Sequence, residues 1–433
     1  MTGRRPPQQA TRQERPARPG SRGPRAPRPP VIAPAISAVG VIALLVGSWL
    51  AIAVWGPSGG SAEPTEAPLA FGTPDASGNL PEEPVATATP RATIVITPPP
   101  ERTAEVIGQI LFTKGGDIYR VTGKGDIQAL TRKGLDSAPS WTPDGKRIVF
   151  VETRDKTVQA PWEGRLAKYR FFYPNIMSIA ADGSDRKQIY ESIFPSGGGQ
   201  WHSWVLQPDV SPDGERIAVV SDGKDGYGEV VLHTMSSDGG RLQALDLEVI
   251  DAQGHNDPDW SPDGKRIAFT YNIRSGQIGT PKIGIVTVRS EKMELLREGY
   301  ANPSWSPDGR WIAAERTTGT GRDIVILDPE SGAEVARLTN DGDSFAPTFS
   351  PNGNQIAFLR RKGLGVDLWV LTLDPARGFT RLEQKPVTED GGLDAESPPS
   401  WFIPEELIVP MATPEVVAEP VEPGPSAGPS PAP

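Results

Sequence analysis

Six times between residues 139 and 401 the chain writes Pro-x-apolar: Pro139-Ser-Trp141, Pro208-Asp-Val210, Pro258-Asp-Trp260, Pro303-Ser-Trp305, Pro347-Thr-Phe349 and Pro399-Ser-Trp401. The prolines are 69, 50, 45, 44 and 52 residues apart. Self-similarity at this period is the mark of a repeat architecture, in which each unit buries its apolar face only against its neighbours. Five of the six copies run on into a turn: SWTPDG at 140–145, DVSPDG at 209–214, DWSPDG at 259–264, SWSPDG at 304–309 and TFSPNG at 348–353. Pro presets φ at the second position of a type I turn, and Gly at the fourth tolerates positive φ.

A short apolar run follows each turn: RIVF at 147–150, RIAVV at 216–220, RIAFT at 266–270, WIAAE at 311–315 and QIAFL at 355–359. The turn therefore joins a β-hairpin. A third strand comes later, as NIMSIA at 175–180, EVVLHT at 229–234, KIGIVTV at 282–288, DIVILD at 323–328 and DLWVLTL at 367–373. A polar turn and a short fourth segment, such as ARLT at 336–339, complete the unit. Four antiparallel strands per unit predict an all-β, six-bladed β-propeller. The repeat region opens without a first strand, on QILFT at 109–113, and finishes on PSWF at 399–402 with little after it. The last blade is thus expected to close with strands from both ends, and ILF at 110–112 and LIV at 407–409 compete for one place in it. The large residues Trp141, Trp260, Trp305, Phe349 and Trp401 are expected in the core between blades.

The sequence SPDGKRIAF preceded by Pro-x-Trp resembles the repeat of TolB-like β-propellers, over about residues 107–405. The departures are Thr142 for Ser, Asn352 for Asp, and FIPEE at 402–406 where the sixth turn should stand. The resemblance implies six blades and binding to protein partners at the cell envelope. TolB carries an additional α/β domain before its propeller, whereas this chain has an apolar segment and a spacer there.

The flanks read differently. Net charge is −10, yet residues 1–30 hold eight Arg and one Glu. From Pro29 to Ala62 there is no charged residue, and Val31 to Trp55 form a largely apolar run with Pro34 near its start. As a helix this run would measure about 37 Å at 1.5 Å per residue, enough to cross a bilayer core of about 30 Å. Trp49 and Trp55 near its far end suit an aromatic belt, and the basic arm before it suits the cytoplasmic side. A cleaved signal peptide is the competing reading, with Ala51-Ile-Ala53 as a processing site. The expected organisation is a basic arm at 1–30, a transmembrane helix at 31–55, a Pro/Thr/Ser-rich linker at 56–104, a propeller at 105–410 and a Pro-rich tail at 411–433. This makes a single-pass membrane protein with its propeller outside the cytoplasm.

Few residues suit catalysis. There is no Cys, which removes thiolate metal sites and Cys nucleophiles. Gly56-Pro-Ser58-Gly-Gly60 and Gly424-Pro-Ser426-Ala-Gly428 match the hydrolase elbow, but lack the strand and helix it requires. The short sequence after residue 405 does not suggest the serine-hydrolase domain that follows some such propellers. Three His occur, at 202, 233 and 255. His233 lies in a predicted strand; His202 and His255 lie in loops entering blades, near Asp209, Asp257 and Asp259. No spacing matches a metal motif, and neither metal nor cofactor is expected.

The longest repeat step holds the binding candidates. TRDKTVQAPWEGRLAKYRFFYP at 153–174 mixes basic and aromatic residues, and SGGGQWHSW at 196–204 adds more. Trp162, Arg165, Lys168, Tyr169, Arg170, Trp201, His202, Trp204 and His255 are the expected ligand-binding residues, since aromatic and Arg side chains on loops serve binding. A flap packed over the blade is the plain structural reading. A basic insert on an acidic domain favours an acidic partner, peptide or glycan. The function expected is a non-enzymatic, extracytoplasmic protein-binding scaffold, with neither nucleic acid nor self-assembly implied. The alternative is a polysaccharide lyase-like or metal-dependent propeller enzyme, or a glycan-binding module.

Overall fold

The structure, a computed structural model, describes residues 105–408 apart from 124, 163–164, 197–198, 224–228, 248–251, 276–277 and 320. The basic arm, the apolar segment 31–55, the linker 56–104 and the tail 411–433 lie outside the described residues. Among the described residues no helix is long and apolar enough to cross a membrane.

Six four-stranded antiparallel sheets form the propeller. Blade 1 consists of Asp136–Trp141, Arg147–Trp162, Arg165–Ala180 and Lys187–Tyr190, from the innermost strand outward. Blade 2 consists of Val205–Val210, Arg216–Ser221, Val231–Ser236 and Gln243–Ala244. Blade 3 is Ala252–Trp260, Arg266–Ser275, Ile278–Thr287 and Lys292–Glu298. Blade 4 is Tyr300–Trp305, Ile312–Thr318, Gly321–Leu327 and Glu334–Arg337. Blade 5 is Ser344–Phe349, Gln355–Lys362, Gly365–Asp374 and Thr380–Pro386.

Blade 6 joins the two ends. Its innermost strand, Ser400–Phe402, pairs antiparallel with Val106–Lys114, and Asp117–Gly123 and Asp126–Ala129 follow outward. Ile110 stands opposite Trp401, and Trp401 donates its indole N–H to the carbonyl of Ile107 at 2.8 Å. Ile110–Phe112 thus fill the contested place, and Leu407 ends a short 3₁₀ turn, Glu405–Leu407, instead.

The turn motif owes its recurrence to a closed set of bonds. In blade 2 the Ser211 hydroxyl donates to Asp213 and accepts the N–H of Arg216, while Asp213 accepts the N–H of Glu215. The Gly214 N–H returns to the Ser211 carbonyl, and its φ is 72°. Thr142 and Asn352 make the same bonds in their turns, so both departures preserve the chemistry. In blade 6 the turn is lost, and the Phe402 ring packs instead over Gly145 of blade 1.

Between blades, the repeat aromatics are buried as expected: Trp141, Trp260, Trp305, Phe349 and Trp401. The Arg after the turn reaches forward over the next blade's Trp. Arg216 lies 4.6 Å from the centre of Trp260, and Arg266 lies 4.6 Å from that of Trp305. Cation–π contacts of this partly exposed kind contribute about 1 kcal/mol each.

The residue between Pro and the aromatic makes a belt around the axis. Ser140 accepts the N–H of Val210 at 3.3 Å, Asp209 that of Trp260 at 2.8 Å, and Asp259 that of Trp305 at 2.7 Å. Ser304 accepts from Phe349 at 3.1 Å, and Ser400 from Trp141 at 3.2 Å. Thr348 donates to the Pro399 carbonyl at 2.7 Å. Each blade is therefore bonded to the next, around the full circle. A bulge precedes the belt in blades 1–5, where the ladder register shifts. The residue before each Pro there sits at positive φ: Ala138 49°, Gln207 52°, Asp257 52°, Asn302 49° and Ala346 50°. Such a backbone costs on the order of 1–2 kcal/mol per non-glycine residue, a strain the belt and the buried aromatics must offset.

Two glycines test the closure. Gly214 has room for a Cβ, with Pro143 3.8 Å away, whereas a Cβ on Gly145 would stand 2.1 Å from the Phe402 ring. Gly214→Ala is expected to cost about 1–2 kcal/mol through its positive φ alone. Gly145→Ala should cost about 2 kcal/mol more, through overpacking at the clasp. Urea unfolding of the two variants measures the difference, and equal losses would remove Phe402 from the closure.

Candidate functional site

The strand order gives the ring two distinct ends. The Ser-Pro-Asp-Gly turns, joining first to second strands, lie at one end with the clasp residues Phe402 and Ile403. The hairpins joining second to third strands lie at the other.

At the turn end, the innermost strands enclose a cavity of about 400 Å³ on the axis. Its lining includes Gln207, Asp209, Asp257, Asp259, Asn302 and Ser304, and Ile408 reaches its mouth. Three carboxylates line it, and among the described residues no basic side chain does. Asp257 is held by the Gln207 amide at 2.6 Å and the Thr270 hydroxyl at 3.1 Å. Thr270 in turn accepts the Asn302 N–H at 2.9 Å, and the Asn302 amide donates to Glu315 at 2.9 Å. A polar chain thus runs across blades 2, 3 and 4.

Burial dominates the ionisation of these acids, because the charged form loses water without gaining a cation. Burial, with the charge of Glu315 beyond it, pushes Asp257 up to about 7. Burial raises Asp209 to about 6. Burial and then the neighbouring Asp209 charge hold Asp259 well above the ordinary carboxylate range. Among the described residues no group of three or more His, Asp or Glu is arranged to hold a metal ion.

At the other end, the residues of the longest repeat step form a hairpin rather than a loose loop. Arg147–Trp162 and Arg165–Ala180 pair continuously from Arg147↔Ala180 to Trp162↔Arg165. Buried ion pairs fix its base: Arg186 binds Asp136 at 2.5 and 3.0 Å and Glu152 at 2.8 Å, and its guanidinium lies 4.7 Å from the Phe150 ring centre. A second, two-stranded hairpin, Ile193–Ser196 with Gly199–His202, stands beside it.

An aromatic row fastens the two. Phe171 stacks on His202 at 5.2 Å and 9°, His202 on Trp201 at 5.8 Å, and Trp204 meets His202 edge-on at 5.3 Å. Tyr173 lies 5.9 Å from Phe171. Burial lowers the pKa of His202 within this row.

Of the expected binding residues, the structure brings together Trp201, His202 and Trp204. Lys168 and Arg170 alternate with Phe171 along their strand, so they occupy the opposite face of the hairpin. There Arg170 binds Asp155 at 2.8 Å and covers the Phe172 ring. The backbones of Trp162, Arg165 and Tyr169 lie in the hairpin, while their side chains are outside the described residues. His255 is fully buried in blade 3, far from this row in sequence and packed on Phe269 and Tyr271. Its Nδ1 accepts the N–H of Leu232 at 3.0 Å, so it ties blade 3 to blade 2 as a neutral ring. Burial, and then the nearby His233, lower its pKa to about 4. Phe171 and Lys156 belong to the basic and aromatic stretch 153–174 but not to the expected binding residues, since only the pairing of the hairpins gives them a place.

These observations can be set beside known proteins. Residues 198–401 match the family model of the TolB beta propeller domain. An uncharacterized protein of Agrobacterium fabrum is 32% identical over 161 residues, which cover 35% of this chain and 46% of that protein. The chain thus spans about half the length of the curated relative it matches. A structure described as a TolB of Agrobacterium tumefaciens superposes with a TM-score of 0.48 at 18% identity, over 69% of this chain and 95% of that one. TolB from Acinetobacter baumannii gives 0.47 at 20% identity, over 68% and 66%. The TolB-like match covers most of blades 2–5 and ends in the clasp strand at Trp401.

The carboxylates of the axial cavity set an expected pH dependence. Asp257 and Asp209 have raised folded pKa values, so their stabilising contribution is complete below about pH 4 and is lost as pH rises through about 6 to 7. His255 acts with the opposite sign: its contribution is present above about pH 6.5 and is lost as pH falls through about 4. Between about pH 5 and pH 7 the acids dominate, and stability should fall with rising pH by up to about 1.4 kcal/mol per unit for each titrating group. Asp257→Asn should flatten this slope in urea unfolding. An unchanged slope would show that Asp257 stays ionised.

Proposed function

We propose that the chain is a non-enzymatic, extracytoplasmic protein-binding scaffold of the cell envelope. The observation that carries this reading is the separation of the two ends of the ring. Val106 and Ile408 both leave at the end bearing the Ser-Pro-Asp-Gly turns, while the paired hairpins project from the other. A tether reaching Val106 from segment 31–55 would leave the hairpin end open to a partner. The basic arm 1–30 then stays in the cytoplasm and the linker 56–104 holds the ring off the membrane. The match to the TolB beta propeller domain supports a protein partner. The buried positions of His255 and His233 support binding over catalysis, since the Nδ1 of each ring is engaged by backbone within its blade pair.

Two experiments test this. The chain has no Cys, so single introduced thiols report topology without background. Leu364→Cys should react with a membrane-impermeant maleimide on intact cells, and Thr11→Cys only after permeabilisation; the reverse pattern would refute the orientation. Affinity capture should then recover an envelope protein with the full chain. A variant with Asn-Gly in place of 156–171 closes the hairpin at Asp155 and Phe172. It should lose that protein while keeping its unfolding midpoint.

A further inference from the structure

The second hairpin has an edge to which no strand is paired among the described residues. Gly199–His202 pairs with Ile193–Ser196 alone, and the sheet has no third strand among the described residues. Pro195 stands opposite Gln200 and has no N–H to give to the ladder. In the alternation of an antiparallel pair, the Gln200 N–H and C=O therefore turn to the outer edge. An open edge of this kind is a template for a further strand.

The surroundings of this edge have a definite chemistry. The row Tyr173, Phe171, His202 and Trp201 runs beside it, with Trp201 44% exposed. Lys156 stands opposite Phe171 in the ladder, on the same face of the first hairpin as the row. Lys156 has no ion-pair partner among the described residues. Residues 153–174 hold five basic and two acidic residues, in a chain whose net charge is −10.

We propose that this edge and the aromatic row form a docking site for an extended, acidic segment of a partner polypeptide. Resting on the scaffold reading above, this names the partner's chemistry. The segment adds as a strand to Gly199–His202, its carboxylates face Lys156, and its apolar side chains lie on Trp201 and His202. Charge complementarity selects the acidic segment. The open backbone edge selects a polypeptide over a glycan, because only a polypeptide carries the matching row of N–H and C=O groups.

The test uses the full chain and labelled probes followed by fluorescence polarisation. The probes are a dodecapeptide alternating Glu and Val, its Lys and Val counterpart, and a polygalacturonate oligomer. The Glu peptide should bind, more weakly as salt rises. Lys156→Glu and Gln200→Pro should each weaken it by about tenfold, and Trp201→Ala should weaken it as well. Lys146→Glu, on the opposite end of the ring, should leave it unchanged. Thermal unfolding of each variant checks the fold, and Lys156→Gln offers a milder substitution. Equal binding of the Lys peptide, binding of polygalacturonate alone, or indifference to Gln200→Pro would each overturn the proposal. If no probe binds yet the shortened hairpin abolishes capture of the envelope protein, the scaffold reading stands and this chemistry falls. If the shortened chain keeps its partner, the hairpins are not the site.

Discussion

A ring of separate sheets holds together only if each sheet is bonded to the next as firmly as its own strands are to each other. In this chain that bond is the belt around the axis. A hydroxyl or carboxylate, one residue before each large apolar side chain, takes the backbone N–H of the following blade or, in blade 5, donates to its carbonyl. Hydrogen bonds of this type contribute modestly, about 1 kcal/mol each, when made. Left unmade at a buried position they would cost more, so the belt works chiefly by excluding arrangements in which blades slip. The bulges and their positive φ angles accompany it, and the tryptophans and forward-reaching arginines fill the space outside it.

The belt is not uniform, and its chemistry divides the ring. Blades 1, 4, 5 and 6 use Ser or Thr, whereas blades 2 and 3 use Asp209 and Asp259. A carboxylate accepts an N–H more strongly than a hydroxyl does, but burying it beside a second carboxylate costs free energy unless a proton is taken up. The same sector holds Asp257, Glu315 and the polar chain through Thr270 and Asn302. At the hairpin end the division recurs. Blades 4, 5 and 6 each fasten the start of the third strand with an Asp, a Thr and a Gly N–H, as in Asp323, Thr339 and Gly342. In blade 1 Asn175 takes the N–H of Ser192, and in blade 2 His255 takes that of Leu232. One half of the ring is a regular frame, and the other carries the long hairpins and the buried acids.

The fold was legible because its grammar is local. Ser-Pro-Asp-Gly dictates its own bonds, and alternating apolar runs on either side of it dictate strands, so blade number and strand order follow from spacing. The clasp was legible in outline from PSWF and QILFT, although choosing Ile110–Phe112 over Leu407–Val409 required the register of Trp401 against Ile110. The role of the residue after each Pro left a trace in the sequence, as Ser, Asp, Asp, Ser, Thr and Ser, but small polar residues near turns have many uses. The positive φ of Ala138, Gln207 and Ala346 left none, since these residue types do not favour it. At the hairpins, composition marked the right segment and mixed its two faces: Lys168 and Arg170 stand on one and Phe171 on the other. His255 reads as a loop histidine beside two Asp, and only burial shows it replacing a threonine.

The clasp also gives the chain a direction in time. The strand Val106–Lys114 is made early and acquires its inner neighbour only when Ser400–Phe402 arrive, a contact spanning 294 residues at Trp401 and Ile107. Five blades can assemble as they emerge, since their contacts are local, but the ring has no closed state until the last strand is present. Loop closure over such a span carries its entropic cost at the final step. Until then the inner edge of the first sheet stays unpaired and open to a wrong partner. A chain that pauses before residue 402 is in place would therefore present a sticky arc, not a smaller propeller.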